Sequence, residues 1–264
     1  MGEEIHQSAD AKPLLAIRDV TVRFGGIIAL DAVSFEVGHG IIVGLIGPNG
    51  AGKTTLFNCL SRLYQFESGS IHFDGRSIAE LARHQIADVG IGRTFQNLAL
   101  FRTMSVRQNI MLGGHCRTRG GFLVNLLRLP LAKREEAELA RQADDLVRLL
   151  DLDAVQHTRV MGLPFGTQKK VELARALAAK PKLLLLDEPA GGLNHEEVGG
   201  LAALIKRLRD ELKLTVLLVE HHMNLVMQVS DKVVALDFGR KIADGPPAHV
   251  QAHPEVIRAY LGAG

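Results

Sequence analysis

The sequence predicts an α/β fold whose buried parallel strands end at one functional edge. Three short apolar runs, at residues 41–46, 182–186 and 214–219, consist largely of Ile, Leu and Val, which is typical of strands covered on both faces. The first run leads into a glycine-rich segment, and the other two end in ionisable side chains. Because ligands of parallel sheets bind beyond the carboxyl ends of the strands, these three ends predict one shared site.

The segment after the first run has the complete G-x-x-x-x-G-K-[ST] spacing of a phosphate-binding loop. Its three glycines are expected to keep Cβ atoms away from a polyphosphate held by backbone N–H groups. Lys53 adds a positive charge at the β- and γ-phosphates, and the Thr54 hydroxyl suits a magnesium ion. The alternative, a glycine-rich turn that fits by accident, is disfavoured by the strand before it and the helical spacing after it. The predicted nucleotide-binding residues here are Gly47, Pro48, Asn49, Gly50, Ala51, Gly52, Lys53, Thr54 and Thr55.

The second apolar run ends in two carboxylates, Asp187 and Glu188, and Pro189 breaks the strand. Asp187 lies where it can bind magnesium, and Glu188 where it can polarise a water for in-line attack on a phosphate. The alternative is a solvated acidic turn after a core strand. The presence of a phosphate loop in the same chain favours the functional interpretation.

The third run continues into Glu220, His221 and His222. A neutral imidazole at the end of a strand can donate a hydrogen bond to a terminal phosphate or to an attacking water. This context favours a functional role for His221, although an isolated histidine is more often a surface residue. His222 is expected to begin the next helix.

Composition limits the possible functions. A chain of 264 residues with 47% hydrophobic side chains can bury one α/β core and one inserted subdomain. The formal net charge of +2 gives no strong field for nucleic acid. Cys59 and Cys116 form no C-x-x-C pair, so a disulfide framework or zinc site is not expected, and Cys59 reads as a buried helix residue. Residues 1–13 lack the apolar core of a secretion signal, and no stretch approaches about 20 apolar residues, so an intracellular chain is expected.

The order of these motifs resembles the ATP-binding cassette family, and the resemblance extends from about Leu14 to Gly262. Gln96, within Gly-Arg-Thr-Phe-Gln-Asn, resembles the glutamine loop of the family. Residues 163–170 and the helical pattern after them resemble its signature segment. Residues 190–194 lie where the D-loop of the family lies, and His221 lies where the family has its switch histidine.

The resemblance implies roles for individual residues. Gln96 would bind magnesium and contact the membrane subunit, Glu188 would act as general base, and His221 would contact the γ-phosphate. Phe24 matches the aromatic position that stacks on adenine, for which a flat π-face suffices. Without the resemblance, Phe24 would be interpreted as an ordinary core or hairpin residue.

The signature segment departs from the Leu-Ser-Gly-Gly-Gln pattern of the family. Pro164 replaces the serine, Phe165 replaces the first glycine, and only Gly166 stays in register. A hydroxyl contact to the γ-phosphate is therefore missing, but the N–H groups of Gly166 and Thr167 at a helix start can still bind an anion. In this family the site is completed in trans, so Gly166 is expected to face the phosphate loop of a second subunit.

Three features resemble the ATPase subunit of bacterial branched-chain amino acid importers. They are the variant signature segment, the segment 190–194 and the ending from Asp244 to Gly262. The resemblance implies ATP and Mg²⁺ as cofactors, a second ATPase subunit in a homo- or heterodimer, and two membrane permease subunits. It also implies indirect action with an external substrate-binding protein and a peripheral location on the cytoplasmic face of the inner membrane. Because the net charge is small, no nucleic-acid partner is expected. The cargo stays open, with urea, short amides, other amino acids or lipid export as alternatives.

The predicted architecture is α/β, a P-loop NTPase (RecA-like) core with an antiparallel β subdomain and an inserted helical subdomain. Residues 15–46 and 232–240 have strand patterns, and residues 132–150 have helical periodicity. The apolar stretch 120–131 is about half a membrane span and packs on its own domain or touches lipid or a partner. The predicted domains are an N-terminal tail at 1–13, a nucleotide-binding core with β subdomain at 14–96 and 177–264, and a helical subdomain at 97–176.

Two other classes of function are alternatives to transport. A non-transport cassette ATPase acting on DNA or ribosomes would carry two cassettes, a long coiled-coil insertion or a basic surface, and the sequence shows none of these. A phosphate-loop kinase for small molecules would not need the combination of Gln96, the signature segment and His221. Transport is therefore the favoured class.

Overall fold

The computed structural model describes residues 12–94, 98–117 and 130–261. Gln96 and most of the apolar stretch 120–131 therefore lie outside the described residues. The described chain forms two sheets with helices on both sides of the larger one. The strands are β1 (Leu15–Phe24), β2 (Ile27–Val37), β3 (Ile42–Ile46), β4 (Ser68–Phe73), β5 (Arg76–Ser77), β6 (Ile91–Arg93), β7 (Leu183–Asp187), β8 (Thr215–Val219), β9 (Lys232–Asp237) and β10 (Arg240–Gly245).

The helices follow the strands in an order typical of an α/β fold. The first one starts within the predicted phosphate loop, and the last two follow the final hairpin. The helices are α1 (Lys53–Leu60), α2 (Gln85–Val89), α3 (Val106–Gly113), α4 (Pro130–Leu149), α5 (Phe165–Ala178), α6 (His195–Leu212), α7 (Met223–Val229), α8 (Pro247–Gln251) and α9 (Pro254–Leu261).

The larger sheet has six strands in the order β10-β9-β3-β8-β7-β6. Its five strands from β9 to β6 are parallel, and only β10 pairs antiparallel, with β9. Every residue of β3, β7 and β8 is buried, as expected for strands with packing on both faces. The three apolar runs of the sequence thus form the centre of the sheet, as predicted.

The smaller sheet is antiparallel, with the order β2-β1-β4-β5. Its central strand β1 pairs with β2 and with β4, and the pairing shifts register around Val20 and Val22. One hydrophobic core joins this sheet to one face of the larger sheet through α1, with Phe57 and Leu45 fully buried. The predicted antiparallel β subdomain is therefore present, although its strands β4 and β5 had no recognisable sequence signal.

The opposite face of the larger sheet packs against the other helices. Residues of α3, α4, α5 and α6 share a second hydrophobic core with the central strands, and α3, α4 and α5 contact one another. The helical periodicity of residues 132–150 corresponds to α4. The domain boundaries at 96/97 and 176/177 stay predictions: residues 95–97 lie outside the described part, and residues 176 and 177 both belong to α5.

The strand register brings the three predicted ends to one edge. Leu45 of β3 pairs with Val219 of β8, and Val219 also pairs with Asp187 of β7. The chain leaves these strands at the same level, so the phosphate loop, Glu188 and His221 all begin at this edge. Backbone hydrogen bonding alone thus aligns segments that are far apart in sequence.

Candidate nucleotide site

The phosphate loop (residues 47–54) needs two of its glycines because it packs closely on its own chain. At Gly47, with φ +151°, an added Cβ would lie 2.2 Å from the Leu236 carbonyl oxygen. At Gly52, with φ +99°, it would lie 2.6 Å from the Ala29 carbonyl oxygen. A Cβ at Gly50 would instead point into open space. Gly47 and Gly52 thus accommodate neighbouring backbone, and the expectation that the loop glycines also clear a path for phosphate stays a prediction.

Lys53 folds back into the phosphate loop. It is 5% exposed, and its Nζ donates hydrogen bonds to the carbonyl oxygens of Gly47 at 2.6 Å and Pro48 at 2.9 Å. Burial lowers the pKa of Lys53, and the negative charge of Glu188 opposes this shift. The ammonium group is thus held by the loop itself, at the position where the motif predicts phosphate oxygens.

The helix after the loop begins with open backbone donors. Gly52 is the N-cap of α1 and no side chain caps the helix, so its first N–H groups and the positive end of its dipole face the loop. Thr54 is exposed in this first turn and Thr55 is half-buried. The geometry suits the binding of an anion at this helix start.

Asp187 forms a buried ion pair that the sequence did not indicate. Its Oδ2 accepts a hydrogen bond from Arg93 Nη2 at 2.7 Å, and both side chains are less than 10% exposed. Arg93 Nη1 also donates to Asn58 Oδ1 on α1 at 2.9 Å and to Oγ of Ser61, the C-cap of α1, at 3.1 Å. The guanidinium lies over the Phe57 ring, 5.6 Å from its centroid. Arg93 therefore connects the Asp187 carboxylate to the helix that follows the phosphate loop.

Glu188 and His221 meet at the edge of the sheet. His221 Nε2 lies 2.8 Å from Glu188 Oε1, and the two side chains are 44% and 22% exposed. Glu188 has φ +49°, a left-handed conformation that is rare for a residue other than glycine. Its backbone N–H donates to the Val219 carbonyl oxygen at 2.9 Å. Two residues that the sequence placed on separate strand ends are thus in direct contact.

Glu220 is a second residue whose importance the sequence did not reveal. It is 1% exposed, and its carboxylate accepts hydrogen bonds from the backbone N–H groups of Ala190, His221 and His222. His222 is the N-cap of α7, which begins at Met223. The available signal in the sequence was a glutamate directly after an apolar strand, because a carboxylate that is buried at such a position needs hydrogen-bond partners.

Phe24 lies at the turn between β1 and β2 and is 46% exposed. Its ring contacts Tyr64 edge-to-face, with centroids 5.1 Å apart and an interplanar angle of 72°. A half-exposed aromatic ring at a turn is not a core residue. It offers apolar surface to a planar ligand, and its stacking on adenine stays a prediction.

The signature segment starts a helix without a side-chain cap. Pro164 is the N-cap of α5 and makes no capping hydrogen bond, whereas Asn194 caps α6 in a complete capping box with Glu197. A Cβ at Gly166 would lie 2.7 Å from Glu197 Oε1. The N–H groups at this helix start remain open to an anion, and Gly166 packs closely on α6.

Phe165 and Gly192 fit each other. A Cβ at Gly192 would lie 2.9 Å from Cε1 of the Phe165 ring, and Lys169 Nζ lies 5.5 Å from the centroid of the same ring. The large residue of the signature segment is therefore accommodated by a glycine in the segment 190–194 of the same chain. The departure from the family pattern at 165 has a local structural explanation.

Tyr260 contacts the start of the phosphate loop from the end of the chain. Its Oη accepts a hydrogen bond from the Gly47 backbone N–H at 2.8 Å, and burial raises the pKa of Tyr260. Tyr260 lies on α9. No sequence pattern indicates this contact, because a single tyrosine in the last helix carries no recognisable motif.

The donor set fits a magnesium ion that is bound mainly through phosphate. Thr54 carries an exposed hydroxyl, and Asp187 carries a carboxylate whose Oδ2 already pairs with Arg93; both groups are of the hard oxygen type that Mg²⁺ prefers. Within residues 12–94, 98–117 and 130–261, no group of three or more His, Cys, Asp or Glu side chains forms an all-protein metal site. Such a site would rely on nucleotide oxygens and water.

Over the same described residues, no helix is both long and apolar enough to cross a membrane.

Family models match two parts of the chain. The model of the ABC transporter family matches residues 30–191. The model of the branched-chain amino acid ATP-binding cassette transporter matches residues 240–264. The first match includes the phosphate loop, Asp187 and the signature segment, and the second includes Tyr260.

Curated relatives match almost the whole chain. The high-affinity branched-chain amino acid transport ATP-binding protein BraF of Pseudomonas aeruginosa is 42% identical over 252 residues, which cover 96% of this chain and 99% of the relative. The high-affinity branched-chain amino acid transport ATP-binding protein LivG is 40% identical to this chain in its Salmonella typhimurium form and 39% identical in its Escherichia coli form. Both matches cover 96% of this chain and 99% of the relative.

Solved structures agree in fold. The ADP conformation of MJ1267, an ATP-binding cassette of an ABC transporter, has a TM-score of 0.83 and 28% identity, and covers 96% of this chain and 100% of that one. A nucleotide-free ATP-binding cassette from an ABC transporter has a TM-score of 0.81 at 28% identity, with 94% and 99% coverage. The fold and the motifs thus define an ATP-binding cassette ATPase with a P-loop NTPase core. The chain belongs to the ABC transporter family.

Proposed function

We propose that this chain is the ATP-hydrolysing subunit of an importer for branched-chain amino acids. The observation that carries the proposal is the identity of 39–42% with BraF and LivG proteins over 96% of the chain. The match of residues 240–264 to a model for branched-chain amino acid cassettes supports the same branch. The cargo itself would be selected by other subunits.

The phosphate loop would bind ATP by exchanging internal contacts for phosphate contacts. In the structure, Lys53 Nζ donates to two loop carbonyl oxygens, and a triphosphate would offer charged acceptors in the same place. Open N–H groups at the start of α1 would bind the same phosphates. Magnesium, held by Thr54, Asp187 and Gln96, would neutralise charge on the β- and γ-phosphates. Phe24 would stack on the adenine.

Hydrolysis would depend on the contact between Glu188 and His221. A carboxylate that accepts a hydrogen bond from a neutral imidazole keeps its second oxygen for an attacking water. Glu188 would act as the general base, and His221 would orient it and contact the γ-phosphate. The left-handed backbone at Glu188 is typical of strained residues at functional sites.

The signature segment would complete the site of a second ATPase subunit. The uncapped start of α5 offers backbone N–H groups of Gly166 and Thr167, which suit a terminal phosphate without the missing serine hydroxyl. A sandwich of two cassettes would place each phosphate loop against the opposite signature segment. The partner would be a second copy of this chain or a related subunit.

The remaining assignments concern the membrane. We propose that residues 97–176 form a helical subdomain inserted into a core of residues 14–96 and 177–264. This subdomain, together with Gln96, would contact two permease subunits, and an external binding protein would act through them. The chain would then be peripheral on the cytoplasmic face of the inner membrane.

Co-purification tests the assembly. The chain, tagged and isolated from membranes in mild detergent, should carry two permease subunits and an ATPase subunit in stoichiometric amounts. Uptake of radiolabelled leucine should be lost in a strain that lacks the chain and restored by the wild-type gene but not by Lys53→Ala. Restored uptake of urea or a short amide, with leucine uptake unaffected by the deletion, would contradict the branched-chain cargo.

A further inference from the structure

Glu220 is buried directly behind the edge of the sheet that carries the predicted chemistry. It follows β8, whose five residues are all buried, and is itself 1% exposed. A carboxylate this deeply buried is costly unless hydrogen bonds satisfy it. Its position between an apolar strand and His221 raises the question of what it does for the site.

The carboxylate bridges two loops through their backbones. Oε1 accepts a hydrogen bond from the Ala190 N–H at 2.6 Å. Oε2 accepts from the N–H groups of His221 at 2.9 Å and His222 at 3.2 Å. Ala190 is two residues beyond Glu188, and His221 contacts Glu188 through its ring. Glu220 thus binds both backbone segments that carry the Glu188–His221 contact.

We propose that Glu220 is a positioning residue that holds Glu188 and His221 in the relative geometry needed for hydrolysis. The inference deepens the proposed function and rests on its assignment of these two residues. Glu220 acts through the backbone of both loops and not through contact with nucleotide. It also joins the segment 190–194 to the His221 loop, so that a shift of one is transmitted to the other.

The strained backbone of Glu188 explains why such an anchor is needed. A left-handed φ of +49° persists in a residue with a Cβ only when the surroundings hold it in place. On one side, the Glu188 N–H is held by the Val219 carbonyl oxygen. On the other side, the Ala190 N–H is held by Glu220. Loss of the second anchor would let residues 188–190 relax and move the Glu188 carboxylate away from His221.

The chemistry of the contact provides an isosteric test. A carboxylate accepts hydrogen bonds on both oxygens, whereas the amide of glutamine has one acceptor and one NH₂ donor. In Glu220→Gln, the NH₂ group must face either the Ala190 N–H or the N–H groups of His221 and His222. One loop therefore loses its anchor although the volume of the side chain is unchanged.

The experiment measures binding and turnover of the purified full-length chain separately. For Glu220→Gln we expect the equilibrium Kd for ATP to stay within about twofold of wild type while kcat falls at least tenfold at unchanged KM. Hydrogen exchange should accelerate at the amides of Glu188 and Ala190, or at those of His221 and His222. Glu220→Asp keeps two acceptor oxygens on a shorter side chain, so it should retain more activity than Glu220→Gln. If Glu220→Gln folds poorly, Glu220→Asp is measured in its place.

Asn109→Asp is the matched control. Asn109 is also fully buried, and its side chain bridges the backbone of residues 101–105 on the helical side of the molecule. This isosteric change should lower thermal stability and leave kcat and KM unchanged, so it separates general destabilisation from positioning.

Wild-type kcat and wild-type amide exchange in Glu220→Gln would overturn the inference. An equal fall in kcat for Asn109→Asp, or a lower kcat for Glu220→Asp than for Glu220→Gln, would do the same. Lys53→Ala, assayed in parallel, distinguishes a failure of the role proposed for Glu220 from a failure of the proposed function. If Lys53→Ala abolishes ATP binding and Glu220→Gln has no effect, only the role of Glu220 fails. If Lys53→Ala binds ATP normally, the proposed function fails.

Discussion

The phosphate-loop side and the signature side of this protein differ in how completely one chain builds them. On the phosphate-loop side, Lys53 and Asp187 are each 5% exposed and held by internal hydrogen bonds and an ion pair. On the signature side, Phe165 is 45% exposed and the start of α5 has no side-chain cap. One side holds buried charges in internal contacts, and the other presents open backbone donors at the surface.

The difference fits the proposal that one chain provides a nucleotide-binding site and a separate surface that complements the site of a second cassette. ATP binding should need only the phosphate-loop side, because the charged groups are already gathered there and Lys53 only has to exchange its loop contacts for phosphate contacts. The backbone N–H groups at the start of α5 are expected to bind a ligand only when the phosphate of a second cassette lies next to them. Variants on the two sides should therefore separate ATP binding from steps that need a second cassette.

Lys53→Ala should have the largest effect. The substitution removes the only lysine of the phosphate loop, and the lost charge cannot be replaced by the backbone N–H groups. We expect ATP hydrolysis to be abolished and the Kd for ATP to rise strongly, as measured by fluorescence titration with a labelled nucleotide. Lys12→Ala, at an exposed position, is the control. Wild-type binding and turnover in Lys53→Ala would remove the phosphate-loop assignment.

Glu188→Gln comes second. If the carboxylate is the general base, turnover should fall by about 10²-fold or more, while ATP still binds because Lys53 and the loop are unchanged. Phosphate release and nucleotide affinity, measured on the same preparation, distinguish the two effects. The variant should also trap a nucleotide-bound dimer, detectable by size-exclusion chromatography. Normal turnover would move the base to another residue.

Arg93→Ala tests the buried ion pair of the phosphate-loop side. Removing one partner leaves the Asp187 carboxylate buried without its counter-charge, which costs about 3–5 kcal/mol of unfolding free energy in comparable pairs. Arg148→Ala breaks an exposed pair with Asp145 on α4 and should cost less than about 1 kcal/mol. Urea denaturation measures both. Equal losses in the two variants would mean that the Arg93–Asp187 pair does not stabilise the site.

Much of this arrangement could be predicted from the sequence. The apolar runs predicted β3, β7 and β8, and the motif spacing predicted that Lys53, Asp187, Glu188 and His221 share one edge. The fold class follows from these patterns because parallel strands and a phosphate loop leave few alternative topologies. The family and the ATPase class were also identified correctly.

What the sequence could not predict are contacts between distant segments. Arg93 and Asp187 pair because β6 and β7 are adjacent in the sheet, and no local pattern indicates that adjacency. The bridge made by Glu220 and the contact between Tyr260 and Gly47 depend on tertiary packing in the same way. The strands β4 and β5 could not be predicted because β4 begins with Ser-Gly-Ser and β5 has only two residues, so neither contains a continuous apolar run.

Pro164→Ser should have the smallest effect and restores the residue type of the family pattern. Pro164 has φ −54° and ψ 150° at the N-cap of α5, a conformation that serine adopts and in which its hydroxyl can cap the helix. A hydroxyl contact to phosphate is worth about 1–3 kcal/mol at most, so turnover should be preserved or raised. Pro164→Ala, without the hydroxyl, is the control. A large loss of turnover in Pro164→Ser alone would show that proline is required there.

The division between the two sides is tested most directly at Gly166, with ATP binding by the isolated chain and cargo uptake by the assembled transporter measured on the same variants. Gly166→Ala introduces a Cβ against Glu197 without charge, and Gly166→Asp adds a carboxylate where a phosphate of the opposite subunit is expected. We predict that both variants bind ATP with wild-type affinity and that uptake is lost in Gly166→Asp but at least partly retained in Gly166→Ala. Uptake that survives Gly166→Asp, or ATP binding that fails in the isolated variant, would contradict the account.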